Sequence, residues 1–425
     1  MPGLHAGTVV FVGIAAMNVG NYLFHFVAAR FLGPRPYGDL ASLLALAGLI
    51  GLPIAGVQFA IARYVARFRA REEIGSIGAL YRRSLAAGLV FGILLTVPLL
   101  AVAAPLQAGL GIGNLEAVIL TALLAVPAVF TPIALGLAQG LQRFRLYSAA
   151  LIAGAPVRVL LALLLLVAGF GVAGAIGATL AASVLTVVLP LAALRAWPAQ
   201  GRGRPAPVPA REAAAALLPV SIGLLAITSL TTVDVIVAKA VLPDHAAGVY
   251  GGASLIGRVI LYLPAAVVTV LLPKVSARSA VNRQTADILV RSLLATGAFC
   301  FIAVVLYSAF PGLIVSIALG GKFADASGLL WMFALAMTGY ALLNVLLAYH
   351  IGRGRSGFSW LLAGGALLQL GGFWLFHGSP RELLVVTMTV AGALVVAHEF
   401  LIGGGLSRTA IDRLRLDSSR RPERL

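Results

Sequence analysis

Charge is scarce in this sequence. Asp, Glu, Lys and Arg make up 11% of its 425 residues, against about 25% in an ordinary soluble domain. So few charges cannot build a water-facing shell, so lipid must solvate much of the chain. Cysteine is scarcer still. Cys300 stands alone, which excludes an intrachain disulfide, a multi-cysteine zinc site and a Cys-ligated iron–sulfur cluster. The P-loop pattern G-x-x-x-x-G-K-[ST] is missing, and with it that route to ATP hydrolysis. There is no G-x-S-x-G elbow, no H-E-x-x-H and no paired-carboxylate cluster. No cofactor or metal set is readable, and an enzyme is not expected. Strict alternation over segments of about 10 residues, the mark of a membrane β-barrel, is absent too.

Long apolar runs take the place of what is missing. The hydrophobic fraction is 60%, and runs of roughly 20 residues, enough for a helix to cross a bilayer, recur from end to end. Helices satisfy their own backbone hydrogen bonds, which hydrocarbon cannot do. Spans are expected near 8–31, 38–63, 82–104, 116–139, 146–169, 173–195, 213–240, 247–272, 289–310, 327–350, 357–376 and 382–405. The expectation is therefore an all-α polytopic membrane protein of about 12 helices. The first run, from Thr8, lacks a basic start and a cleavage site and reads as a signal anchor.

Acidic charge is the scarcer sign: 14 Asp and Glu against 31 Lys and Arg leave a net charge of +17. In a soluble protein that excess would suggest nucleic acid. Here the cations sort by loop. With a cytoplasmic N-terminus, 24 of the 31 fall on inward loops and the tail; Arg30, Arg35, Lys322 and Arg381 fall outward, and Arg158, Lys239 and Arg258 within spans. That bias is the positive-inside pattern. It predicts N-in and C-in in the cytoplasmic membrane, with the arginines touching anionic lipid headgroups and no nucleic-acid partner.

One Pro/Gly-rich polar stretch, Trp197 to Glu212, divides the chain. We expect an N-terminal lobe of six helices over 1–196, a cytoplasmic linker over 197–212, a second six-helix lobe over 213–406 and a basic tail over 407–425. The halves look duplicated. Pro53, Arg63 and Arg67 (R-Y-V-A-R) keep the spacing of Pro264, Lys274 and Arg278 (K-V-S-A-R). Arg83-Ser84-Leu85 matches Arg291-Ser292-Leu293, and V-A-A-R ending at Arg30 matches I-V-A-K ending at Lys239. Six spans per half make the repeat parallel, with a central cavity expected between the lobes.

Within the spans, a few polar residues stand out, because a charge at a helix centre costs about 2.5–3.5 kcal/mol on insertion scales. Arg158 lies mid-span in span five, Asp234 and Lys239 in span seven, Arg258 in span eight. Asn18, Asn21 and His25 share one face of span one, with Arg30 near its outer end. Each has a structural reading: Asp234 as counter-ion to Arg158 or Arg258, Lys239 snorkelling, the asparagines as interhelical glue, Arg30 as an interfacial anchor. The functional reading makes Arg30, Arg158, Lys239 and Arg258 a cationic lining that selects an anion, guanidinium being a good bidentate phosphate partner. His350, His377 and His398 fall at span ends and read as interfacial. The segment Pro311 to Asp325 reads as the longest outward loop, too short for the catalytic loops that membrane glycosyltransferases and ligases need.

Three motifs carry a family resemblance. They are A-R-F-L-G-P-R-P-Y-G from Ala29 to Gly38, Gln139-Gly140-x-x-Arg143-Phe144, and the run from Val233-Asp234 through Ala247-Gly248-Val249-Tyr250 to Arg258 and Leu263-Pro264. Through them the sequence resembles the multidrug/oligosaccharidyl-lipid/polysaccharide (MOP) exporter superfamily, and within it the polysaccharide-type, Wzx-like O-antigen flippases. That resemblance implies two six-helix lobes and a flippase for polyprenyl-diphosphate-linked oligosaccharide. It implies a headgroup held by Arg30, Arg158, Lys239 and Arg258, sugar or water contacts from Asn18, Asn21 and His25, and ion coupling at Asp234. A lipid-linked glycan and membrane lipids are the expected partners, with a polysaccharide polymerase and glycosyltransferases nearby in the same assembly. The lipid II flippases are similar at Arg30 and Arg258, but they carry two further spans and another arginine in span one, where this chain has Phe24 and His25. A cation-coupled multidrug antiporter of the same superfamily, a membrane-embedded glycosyltransferase or ligase, and an assembly scaffold are the alternatives.

Overall fold

A computed structural model describes residues 2–51, 54–195, 210–262, 271, 275 and 285–401. Nearly all of them are helical, and no strand occurs among them. The first half runs α1 (Pro2–Leu32), α2 (Pro34–Gly51), α3 (Ala55–Ala70), α4 (Ile74–Ala101), α5 (Ala103–Leu110), α6 (Leu115–Leu123), α7 (Ala125–Gly140), α8 (Phe144–Val167) and α9 (Gly171–Leu194). The second runs α10 (Ala210–Val241), α11 (Asp244–Gly257), α12 (Val259–Tyr262), α13 (Ala286–Ala309), α14 (Pro311–Ala318), a 3₁₀ segment (Gly321–Leu329), α15 (Leu330–Gly352), α16 (Gly357–Leu375) and α17 (Pro380–Leu401).

Eleven stretches among the described residues are long and apolar enough to cross a membrane. They match the sequence spans except the eighth, 247–272, which runs from α11 and α12 beyond the described residues. The chain is a multi-pass membrane protein. Its exposed side chains fit lipid: Trp374, Phe400, Leu367 and Phe301 are 80%, 77%, 71% and 69% exposed, a surface that would aggregate in water.

Local sequence explains several breaks. Pro127 has no N–H to give back to the preceding turn, and the fourth span divides at Leu124 into α6 and α7. Gly33 takes the left-handed conformation, φ +72°, which costs glycine little; Pro34 then opens α2, where its missing N–H is not needed. The Leu-Gly-Pro motif is thus the hinge of the first hairpin. The segment from Pro311 to Asp325 departs from expectation. It is not an open loop but α14 followed by the 3₁₀ turn, because Pro311 and its apolar successors fit a helix start.

The chain forms two compact units. The first comprises 1–221, 235–252 and 316–324. In it α1 lies along α8, α8 along α9, and α3 along α7. Small residues allow the close approach: a Cβ on Gly20 would lie 2.5 Å from that of Ala155. The second unit comprises 222–234, 253–315 and 325–425. There α15 packs against α12, α13 and α17, and α16 against α17. Most of the expected linker (197–209), the tail 407–425, and Pro53, Pro264, Lys274, Arg278 and Arg283 of the repeat and its loops lie outside the described residues. Two pairs are described in both copies. Arg30 stands in the last turn of α1 and Lys239 in the last turn of α10, each two residues before the helix ends, whereas Arg83 is the tenth residue of α4 and Arg291 the sixth of α13.

Candidate functional site

In the first unit, Arg158 rises from the middle of α8 against α1. Its guanidinium donates to Asn21 Oδ1 and, through Nε, to Thr179 Oγ1 of α9 at 3.1 Å. Its Cζ lies 3.8 Å from the centroid of the buried Phe24 ring, a cation–π contact. No carboxylate reaches it within 4.0 Å among the described residues. Here, then, is a half-buried cation in an apolar span, held only by neutral acceptors and a ring.

One helical turn from Asn21, His25 Nδ1 lies 3.1 Å from the Tyr37 hydroxyl of α2. Tyr37, wholly buried, meets Phe323 edge-on. Asn18, half-buried on the same face of α1, makes no hydrogen bond among the described residues. Arg30 is exposed at the end of α1 and donates to the Ile317 carbonyl of α14. The structure therefore joins Asn21 of α1 to Arg158 of α8, sets His25 against Tyr37 of α2, and places Arg30 further along α1.

Lys239 is different. Its side chain is 2% exposed, and its Nζ lies 2.7 Å from Asp39 Oδ1 and 2.6 Å from Asp244 Oδ1. The Asp244 contact is a hydrogen bond, and the Asp39 contact is an ion pair at hydrogen-bond distance. Arg35 Nε donates to Asp244 Oδ2 at 2.8 Å, and the Gly113 N–H to Asp39 Oδ2 at 3.3 Å. Lys239, then Arg35, hold the Asp244 carboxyl below the usual carboxylate range. Close backbone packing seals this cluster: a Cβ on Gly248 would sit 1.8 Å from the Pro34 carbonyl oxygen, so only glycine fits.

In the second unit, Arg258 stands in the break between α11 and α12. It reaches Asp234 Oδ1 of α10 at 3.3 Å, and Asp234 is completely buried. Its Nε is buried without an acceptor among the described residues. A neutral network lies on the same helix: Gln369 Nε2 donates to the Leu230 carbonyl, and the Tyr340 hydroxyl to Gln369 Oε1. Among the described residues, no group of three or more His, Cys, Asp or Glu is placed to hold a metal.

The sequence did not mark Asp39, Asp244 and Arg35 as partners of Lys239, nor Phe24 and Thr179 as partners of Arg158. A signal existed for the first set: a lysine inside a span demands carboxylates, and Asp39 and Asp244 are among only 14 acidic residues. His350 and His398, read as interfacial, are instead buried side by side.

The profile of the polysaccharide biosynthesis protein family matches residues 7–278. Among solved structures, the chain is similar to the inward-facing conformation of a multidrug resistance MATE family transporter of the MOP superfamily. The TM-score is 0.72 at 17% identity, over 90% of this chain and 96% of that one. It is also similar to the lipid II flippase MurJ in an inward closed conformation, with a TM-score of 0.71 at 12% identity, over 92% and 87% of the two chains. At such identities the likeness is one of fold. No curated protein sequence matches.

Proposed function

The chain belongs to the polysaccharide biosynthesis protein family and has the fold of the MOP transporters, and from that premise we propose that it is a flippase for polyprenyl-diphosphate-linked oligosaccharide. The observation that carries this reading is Arg158. A guanidinium in an apolar span costs insertion energy, and here no carboxylate among the described residues offsets it. A diphosphate would supply both the missing charge and paired oxygens for the guanidinium. Asn21 and Phe24 hold the side chain beforehand, which lowers the cost of ordering it on binding. Arg30, with a neutral carbonyl as its partner among the described residues, serves the same anion, and Asn18 and His25 offer polar contacts to sugar or water.

Arg258 contributes through the N–H that lacks an acceptor, and Asp234 is its counter-ion and the candidate for ion coupling. Lys239 is assigned a supporting role, since two carboxylates already neutralise it. A drug antiporter would want an acidic site for cations; the buried Asp234 faces an arginine instead. The chain would work in the cytoplasmic membrane, N-in and C-in as the arginine bias directs, in two six-helix lobes joined at 197–212. A polymerase and glycosyltransferases would act beside it.

The test is reconstitution of the purified protein in vesicles with a fluorescent polyprenyl-diphosphate glycan, scored by its accessibility in the opposite leaflet. Wild-type protein should move it. Arg158→Gln, and the double variant Arg30→Gln/Arg258→Gln, should insert normally and fail to move it. Undiminished movement in both would sink the anion-site assignment. Dye efflux in place of glycan movement would turn the reading to the antiporter.

A further inference from the structure

One polar contact lies outside every residue used so far. His350, in the last turn of α15, and His398, in the last turn of α17, are each 2% exposed. Their Nε2 atoms are 3.0 Å apart. Phe358, at the start of α16, stacks on His350 at 5.1 Å and 29° and meets His398 edge-on at 5.3 Å. The shared phenyl ring fixes both imidazoles, so the approach of the two nitrogens is built in.

Two neutral imidazoles make that contact only with one N–H between them. His350 Nδ1 is buried and has no partner among the described residues. If His350 were the acceptor, its own proton would sit on Nδ1 as a buried donor with none of them to receive it, an unfavourable state. If His350 is the donor, Nδ1 holds a bare lone pair instead. On that assignment, His350 Nε2–H donates to His398 Nε2. The lone pair on His350 Nδ1 is then the one place where a proton can be added without breaking the contact. Adding it makes His350 an imidazolium and its bond to His398 charge-assisted, about twice as strong as a neutral one, which works against the cost of a buried Nδ1–H with no acceptor among the described residues. A second proton must take the lone pair already used, and it drives the rings apart.

Burial opposes a positive charge at both rings, and Arg353 and Arg355, just beyond His350, add to that. Glu399, beside His398, favours it, as do the carbonyl ends of α15 and α17. The Tyr349 ring lies 5.4 Å from that of His350. Along α15, α13 carries Asp287 and Arg291 near its start, while α16 has no charged residue. A groove of about 790 Å³ between α13, α15 and α17, lined by Leu294, Phe301, Leu346, Val396 and Glu399, reaches His398.

We propose that His350 and His398 together form a proton-binding site, one proton to the pair, separate from Asp234, whose loading and unloading couples α15 and α17 to a pH gradient. The coupling role rests on the transport function proposed above; the proton site does not.

Histidine-¹⁵N-labelled protein in lipid nanodiscs, titrated by NMR over about pH 4 to 9, tests the site. Two of the six histidines should take up one proton jointly, with a shared N–H between the rings, and His398→Gln should abolish that joint step. Independent titration of all six, or no proton taken up by either ring in that range, would overturn the proposal. The wild-type titration needs no variant, so a misfolded His398→Gln leaves it decisive. Reconstituted vesicles then test the coupling: the ratio of glycan movement with and without a pH gradient should exceed one in wild type and fall to one in His350→Gln. A ratio unchanged in that variant removes the coupling role. Joint proton uptake by a wild-type protein that moves no glycan would retain the site and defeat the flippase reading.

Discussion

Arg158 and Lys239 are both cations within apolar spans of one compact unit, and the chain treats them in opposite ways. Lys239 meets two carboxylates, which Arg35 and the Gly113 N–H also contact, in a cluster closed by Gly248 against Pro34. Arg158 meets an amide oxygen, a hydroxyl and a phenyl ring. The first arrangement is complete without a ligand. The second fixes the geometry of a guanidinium and, among the described residues, leaves its charge uncompensated. A buried charge alone therefore does not mark a binding site; what marks one is a charge whose orientation is fixed and whose counter-charge is missing. Arg258 falls between, with one carboxylate and one N–H left over.

The largest effect should come from unmaking the complete arrangement. Lys239→Met leaves Asp39 and Asp244 without their buried partner, and breaking such a pair costs about 3–5 kcal/mol. Thermal unfolding of the detergent-solubilised protein should show a large drop in Tm, and full stability in this variant would erase the contrast. Arg158→Leu should do the reverse. It removes the insertion cost of a mid-span arginine, about 2.5–3.5 kcal/mol, so Tm should hold or rise. It also removes charged hydrogen bonds to the proposed anion, each about 1.5–3 kcal/mol, so inorganic diphosphate or glycolipid binding should weaken roughly tenfold to a hundredfold. A fall in Tm with binding unchanged would make Arg158 a structural residue like Lys239.

The sequence carried the helical class because apolar length and charge placement are one-dimensional properties. It carried the identity of the buried cations for the same reason: Arg158, Lys239 and Arg258 interrupt runs that should contain no charge. Which cation is neutralised was not legible. Asp39 lies 200 residues before Lys239, and only folding brings α2 to the end of α10. The Leu-Gly-Pro hinge was visible as a motif, yet its role as the floor beneath Gly248 needed the packing. His350 and His398 were misjudged because position near a span end suggests exposure, while the packing of α16 across both rings buries them. Pro311 to Asp325 was misjudged because an outward segment between spans reads as a loop, whereas its apolar residues form helix.

A smaller effect sharpens the comparison from the pH side. Asp244 lies beyond the end of α10, and its carboxyl is held below its ordinary value, first by the Lys239 hydrogen bond and then by Arg35. A depressed carboxylate contributes stability that is fully present above its unfolded value, about 3.9, and that is lost as pH falls through the folded value. The gap in Tm between wild type and Asp244→Asn should be constant from neutral pH down to about pH 4 and should close below it. Arg158 has no carboxylate partner among the described residues, so the gap between wild type and Arg158→Leu should not track that transition.

The smallest effect isolates the outermost member of the cluster. Arg35 touches the same carboxylate as Lys239, at nearly the same distance, 2.8 Å against 2.6 Å, but its side chain is 76% exposed. Water and salt screen it, so the pair should contribute about 0–1 kcal/mol. Arg35→Ala should therefore shift Tm slightly at low ionic strength and not measurably at high salt, while Lys239→Met stays severe in both. If Arg35→Ala were as damaging as Lys239→Met, hydrogen-bond distance rather than burial would rank these pairs. Burial would then not be what makes an unmatched charge expensive, at Arg158 as at Lys239.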